Sequence, residues 1–228
     1  MDFDAIYTAF YTQFRADSDI PTSTEAEYTV GLRLANEAIN RWSNYEGTYW
    51  KELFTNVIDA ADGDKTVATG DTTYAAPTNF REAGGHLRLR DATTNEIKST
   101  IAIVEPHEDQ FIRDSKNVCY FTGNPKDGYT LNLNKTPDAT NNGDVLDYVY
   151  YQKPTEFTTG TDVSEMADPY FIVHRMLAQQ LRASRNPYYS SALRDAENVL
   201  TTMQTDNNAG SWANPWEIAD TSGSGWGI

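Results

Sequence analysis

The apolar positions of this chain change period twice. Near the N-terminus Phe3, Ile6, Tyr7, Phe10, Tyr11 and Phe14 recur at helical steps, which predicts a short aromatic-faced helix over residues 2 to 16. It ends before residues 17 to 21, where Pro21 disfavours helical geometry at Ile20. Thr22 with Glu25, or Thr24 with Glu27, then offers a capping box. The helix that follows, over about residues 22 to 44, carries Tyr28, Leu32, Ala35, Ile39 and Trp42 on one face.

After Gly47, an apolar cluster of Tyr49, Trp50, Leu53 and Phe54 leads into a stretch of another texture, where Gly, Thr, Asn and Asp punctuate short runs. Thr66-Val67-Ala68, His86 to Leu89, residues 97 to 104 and Tyr129 to Leu133 read as antiparallel strands and hairpins. A last strand, residues 145 to 151, is rich in the β-branched and aromatic residues that suit a pleated surface, and Pro154 closes it. Helical spacing then returns. Asp168-Pro169 reads as an N-cap followed by proline at the first helical position, and Tyr170, Val173, Leu177 and Leu181 give that helix an inward face. Asn186-Pro187 repeats the device before Tyr189, Ala192, Leu193, Ala196, Val199, Leu200 and Met203. Two antiparallel helices joined by a short turn are expected.

The fold class expected from this order is α+β, a helical layer split by a β-rich antiparallel insertion. Residues 1–56 form an N-terminal helical part, 57–165 the insertion, and 166–206 a C-terminal hairpin that packs on the N-terminal helices. Residues 207–228 form an extended tail. That tail is rich in Gly, Asn and Ser yet holds Trp212, Trp216 and Trp226, so its indoles dock either on this fold or on a neighbour. With Pro215 they are the candidate partner-binding residues, and a tail that is mobile in the free subunit and ordered on a partner is the expectation.

Charge narrows the choice of partner. Eighteen basic against thirty-three acidic residues give a net charge of −15, which argues against tight binding to a phosphate backbone. Simple acidic solubility explains it, as does contact with DNA that must slide past. The single cysteine, Cys119, leaves no disulfide framework and no cysteine-rich zinc site. No run reaches the roughly 20 apolar residues of a membrane span. The opening MDFDAIYTAF carries acids where a secretory signal has bases, so cytoplasmic synthesis is expected and the Asn134-Lys135-Thr136 sequon is read as incidental.

No residue set assembles an active site. His86, His107 and His174 lack metal-ligand spacing. Asp59, Asp62 and Asp64 flank Gly63 but depart from a calcium loop, and read as a turn. Glu105, Glu108 and Asp109 would suit acid and base roles in glycoside cleavage only at a defined separation, and an acidic loop around Pro106 is the simpler reading. Gly84-Gly85 precedes strand-like alternation rather than a helix, so it reads as a bend. Ser184, Ser190 and Ser191 have no nucleophile-elbow setting, and Cys119 reads as a buried strand residue. No catalytic, cofactor-binding or metal residue is assigned.

The order of parts resembles the head-to-tail adaptor (connector) proteins of tailed bacteriophages, especially those below the portal of short-tailed phages. The resembling segments are EAEYTVGLRLANEAINRWSNYEGTYWKELF, TVATGDTTYAAPTNFREA, DYVYYQKPTEFTTGTDVSEMADPYFIVHRMLAQQL and the final helix. The second contains the phrase Gly70, Tyr74, Pro77 and Phe80, with Thr78-Asn79 between its last two members. The long strand insertion and the Trp-bearing tail depart from the compact adaptors.

The resemblance implies a structural virion protein made in the bacterial host cytoplasm: a ring, dodecameric in that family, that binds portal and tail or nozzle proteins, joins capsid to tail, and lets genomic DNA pass without tight binding. It implies no cofactor, no membrane and no enzyme activity. Another tail or neck component, such as a tail terminator or baseplate protein, is the first rival. A glycan-binding or glycan-cleaving protein built on the strand module is the second.

Overall fold

A computed structural model describes residues 1–15, 19–108 and 117–209. The chain is α+β: in sequence order, helices precede and follow a β-rich middle. The described residues divide into a helical unit, residues 1–52 with 154–209, and a β unit, Leu53–Lys153.

The helical unit contains α1 (Phe3–Arg15), α2 (Ala26–Ser43), α3 (Tyr170–Ala183) and α4 (Tyr189–Ala209). Both α1 and α2 pack on α3, which pairs with α4 as a hairpin. The aromatic face of α1 is buried as its spacing predicts: Phe3, Ile6, Tyr7, Phe10 and Tyr11 are inside. Phe3 meets the ring of Tyr28 edge-on at 5.1 Å and lies 5.4 Å from Phe157. The start of α1 is further held by an isolated bridge between Asp2 and Val163 and by the Tyr28 hydroxyl, which donates to Asp4 Oδ1 at 2.6 Å.

Three helical expectations need correction. First, α2 starts at Ala26 with Glu25 as its N-cap. Glu25 Oε2 does accept from the Thr22 N–H at 2.6 Å, but this link closes a turn ahead of the helix instead of its first turn. The inward face also shifts, because Leu34 and Ala38 are buried while Leu32 is half-buried. Second, α3 buries Phe171, Ile172, Val173, Met176 and Ala178; Tyr170 is exposed, and Leu177 and Leu181 are half-buried. The N-cap position of this helix is Pro169; Asp168, one residue ahead, accepts from the Tyr170 N–H at 3.0 Å, and Asn186 accepts from Tyr188 N–H in the same way before α4. Third, α4 extends to Ala209, so residues 207 to 209 are helical. Asn207 is pinned, accepting from Lys51 N–H at 3.1 Å and donating to the Tyr49 carbonyl at 2.9 Å.

The β unit holds β1 (Phe54–Asn56), β2 (Thr73–Ala75), β3 (Phe80–Ala83), β4 (Leu87–Arg90), β5 (Ile97–Ile103), β6 (Val118–Asn124), β7 (Gly128–Leu133), β8 (Val145–Asp147) and β9 (Val149–Gln152). They form a three-stranded sheet, β1-β9-β3, and a six-stranded sheet, β2-β7-β6-β5-β4-β8. Val57, Phe80, Leu87, Leu131, Leu146 and Tyr150 lie in one core.

The expected strand at 145 to 151 is two strands in two sheets. Tyr148 marks the switch, its carbonyl accepting from Val57 N–H at 3.0 Å. The pairing is also not wholly antiparallel, since β5 and β6 run parallel with Ala102 opposite Val118. Thr66-Val67-Ala68 contributes only an isolated bridge, Thr66 to Val145.

Candidate functional surfaces

The expected partner-binding residues Trp212, Pro215, Trp216 and Trp226 lie outside the described residues, as does Asp109. The remaining candidates can be placed. Asp64 is tied to β2, its N–H donating to the Ala75 carbonyl at 2.8 Å while its carboxylate accepts from Ala75 N–H at 2.6 Å. Asp62 accepts from Thr78 N–H at 3.2 Å. Gly63 between them has φ +88°, and a side chain there would press on Pro77. These carboxylates hold a turn against a strand.

Glu108 folds back in the same manner: its carboxylate accepts from Glu105 N–H at 3.1 Å, so the two acids close a loop and do not face each other across a cleft. Gly84 makes a bend whose N–H donates to Val149 O at 2.9 Å, and a side chain there would meet the Phe54 ring. Cys119 is fully buried in β6, and burial pushes its thiol up to about 12, which suppresses the thiolate that would make it reactive. His174 lies 6.5 Å from the ring of Tyr170. Among the described residues no group of three or more His, Cys, Asp or Glu side chains is arranged to hold a metal ion. No helix among them is long and apolar enough to cross a membrane.

The phrase formed by Gly70, Tyr74, Pro77 and Phe80 has a structural role in the β unit. Gly70, at φ +88°, turns the chain, and the Tyr74 hydroxyl donates to the Asp71 carbonyl at 2.8 Å. Phe80 N–H closes a turn onto the Pro77 carbonyl at 2.9 Å. Inside that turn Asn79 accepts from the Tyr150 hydroxyl at 2.8 Å, donates to Gln152 Oε1 at 2.9 Å, and accepts from Lys153 N–H through its own carbonyl. Phe80 is stacked between the rings of Phe121, at 4.5 Å, and Tyr150, at 5.5 Å. The phrase therefore locks the turn before β3 onto β9.

Trp42 and Trp50 are 1 % and 2 % exposed, so neither offers a stacking platform for a sugar. Among the described residues, the large exposed apolar side chains of the helical unit are Met1, Val30, Tyr49, Val163, Tyr170 and Tyr188. Val30 borders a groove of about 240 Å³ between α1 and α2, lined by Tyr7, Phe10, Phe14 and Leu34 among others. The spacing does not reveal it: Val30 stands on the polar face of the periodicity, and Phe14 shares the helical spacing of the inward residues of α1. The available signal was Gly31, a glycine inside a strong helix, where a side chain would collide with the Tyr7 ring. No family model matches this chain, and no curated protein matches its sequence.

Proposed function

We propose that this chain is a structural virion protein of the phage neck, an adaptor that assembles as a ring below the portal, joins capsid to tail and borders the DNA channel. The observation that carries the reading is the discontinuous helical unit. Two helices from the start of the chain and a proline-started hairpin from its later part pack together, and the whole β unit is inserted between them. This is the order of parts that the resemblance to the adaptors rests on, and the aromatic phrase shared with them lies at a turn that organises the β unit.

The chemistry of the surface is consistent with such a role. A net charge of −15 gives little means of neutralising phosphates, so duplex DNA passes without the salt-sensitive adhesion that Lys and Arg clusters create. The protein's work is then done by interfaces, with portal on one side and tail or nozzle proteins on the other. A phage in which this gene is deleted should package DNA into heads that leak it and carry no tails, and purified protein should restore tail attachment. Tailed, infectious particles in its absence would overturn the assignment.

A further inference from the structure

We infer that the groove between α1 and α2 receives the tryptophan-bearing tail, residues 210 to 228, of a neighbouring copy of this chain. The inference takes the ring of the proposed function and assigns the contact that builds it.

The groove is shaped for a flat apolar group. Its floor is the Tyr7 ring, which α2 approaches closely because Gly31 has no side chain. One wall is formed by Phe10 and Phe14, stacked 5.8 Å apart with an interplanar angle of 4°. Val30, 43 % exposed, stands at the rim. At the mouth Arg15 lies 5.3 Å from the Tyr11 ring centre and pairs with Glu27 at 3.4 Å. Aromatic walls with a guanidinium at the edge suit an indole followed by an acid. The tail offers that sequence in Trp216-Glu217, and it carries no Lys or Arg.

For Trp212 and for the Trp216-Glu217 pair, chain length favours a contact between copies, whereas Trp226, 17 residues beyond Ala209, is not limited in this way. The final helix runs alongside the exit of α2: Glu197 pairs with Arg41, Gln204 donates to Thr48, and Asn207 bonds with Tyr49 and Lys51. It therefore ends beyond the C-terminal end of α2, whereas Val30 and Gly31 lie near its start. From Trp42 back to Val30 is about 18 Å of helix. The three residues from Ala209 to Trp212 span at most about 11 Å, so Trp212 cannot enter its own groove. The stretch from Ala209 to Trp216 spans at most about 25 Å, so Trp216 would reach it only through an extended chain. A neighbour's groove is free of that constraint, and a tail seated in the next subunit is a heterologous contact of the kind that closes rings. Indole anchors commonly dominate such interfaces.

Two full-length variants test this. Trp212→Ala/Trp216→Ala removes the anchors, and Val30→Glu places a charge at the groove rim on an exposed position; Val30→Gln serves if the glutamate variant loses its circular-dichroism signature. A labelled peptide of residues 210–228 should bind the double tryptophan variant saturably by fluorescence anisotropy, and the rim change added to that variant should weaken it at least tenfold. In light scattering each variant alone should be monomeric, and their equimolar mixture should form dimers, since one working tail then meets one working groove. Absence of peptide binding, or binding indifferent to Val30, overturns the inference. Dimers from the mixture without any binding to portal would leave this contact standing and remove the adaptor reading.

Discussion

Trp50 donates its indole N–H to the main-chain carbonyl of Trp42 at 2.8 Å, with the two rings 5.4 Å apart. The eight-residue separation is bridged by a turn in which Glu46 and Gly47 both have positive φ, so the chain folds back at the end of α2 and seals it with a second indole. The Trp42 carbonyl also accepts from Tyr45 N–H at 3.0 Å, and packing is the larger part of what this pair contributes.

Trp42→Ala should therefore cost about 3 to 5 kcal/mol, the range for emptying a large buried aromatic site. Trp50→Phe keeps most of the ring and leaves the Trp42 carbonyl with its Tyr45 partner, so it should cost about 0.5 to 1.5 kcal/mol. Urea titration of both variants checks the order. Equal losses would mean that the hydrogen bond, and not the packing, fixes the end of α2.

In the β unit, Asn79→Ala removes the hydrogen-bond acceptor of the Tyr150 hydroxyl and one contact of Gln152. A loss of about 1 to 3 kcal/mol is expected from leaving a partly buried polar group unpaired. Tyr150→Phe in the same background should cost less than the two single changes added together, by at least about 0.5 kcal/mol. Strict additivity in denaturant unfolding would show that the Asn79–Tyr150 hydrogen bond contributes nothing to stability.

Gly31→Ala puts a methyl group into the Tyr7 ring and should cost about 1 to 3 kcal/mol by overpacking, despite the better helix propensity of alanine. A stabilised variant would place the Tyr7 ring away from α2 and remove the floor of the groove.

Stability should fall at both ends of the pH scale. Asp162 is held down to about 2 by the backbone N–H groups of Thr158 and Thr159 and by their hydroxyls. Its ordinary value is 3.8, so the unfolded chain takes up the proton first and the stabilisation, full above that value, is lost as pH falls toward 2. Asp162→Asn should flatten this acid limb in urea midpoints measured across pH. On the alkaline side burial lifts Tyr7 from 10.0, and Cys119 from 9.0, to about 12. The unfolded chain loses these protons first, and stability should decline from about pH 9 to 12. A midpoint that stays level over that interval would contradict the burial of both groups.

Where one face of an element is plainly apolar, the sequence was legible. The aromatic face of α1 and Trp42 as a core residue follow from spacing alone, and both Asx-Pro helix starts show the expected side-chain acceptance. In α3 the run Phe171-Ile172-Val173 is continuously apolar, so periodicity does not choose the phase, and a face through Tyr170, Val173, Leu177 and Leu181 fits the spacing as well as the one the helix buries. The switch at Tyr148 was hidden because residues 145 to 151 form one run of strand-favouring residues interrupted only by Asp147, with no turn residue to mark the change of sheet. The parallel pairing of β5 with β6 depends on a connection that short-range patterning does not report. The groove escaped because it arises from the meeting of two helices at a glycine, a tertiary event with one residue of local signal.

The most direct measurement of the central claim is negative-stain electron microscopy of the purified full chain mixed with the portal protein of the same genome. The account predicts a second ring stacked coaxially on one face of the portal, with an open central channel. Portal rings that remain bare at an excess of this chain would contradict it.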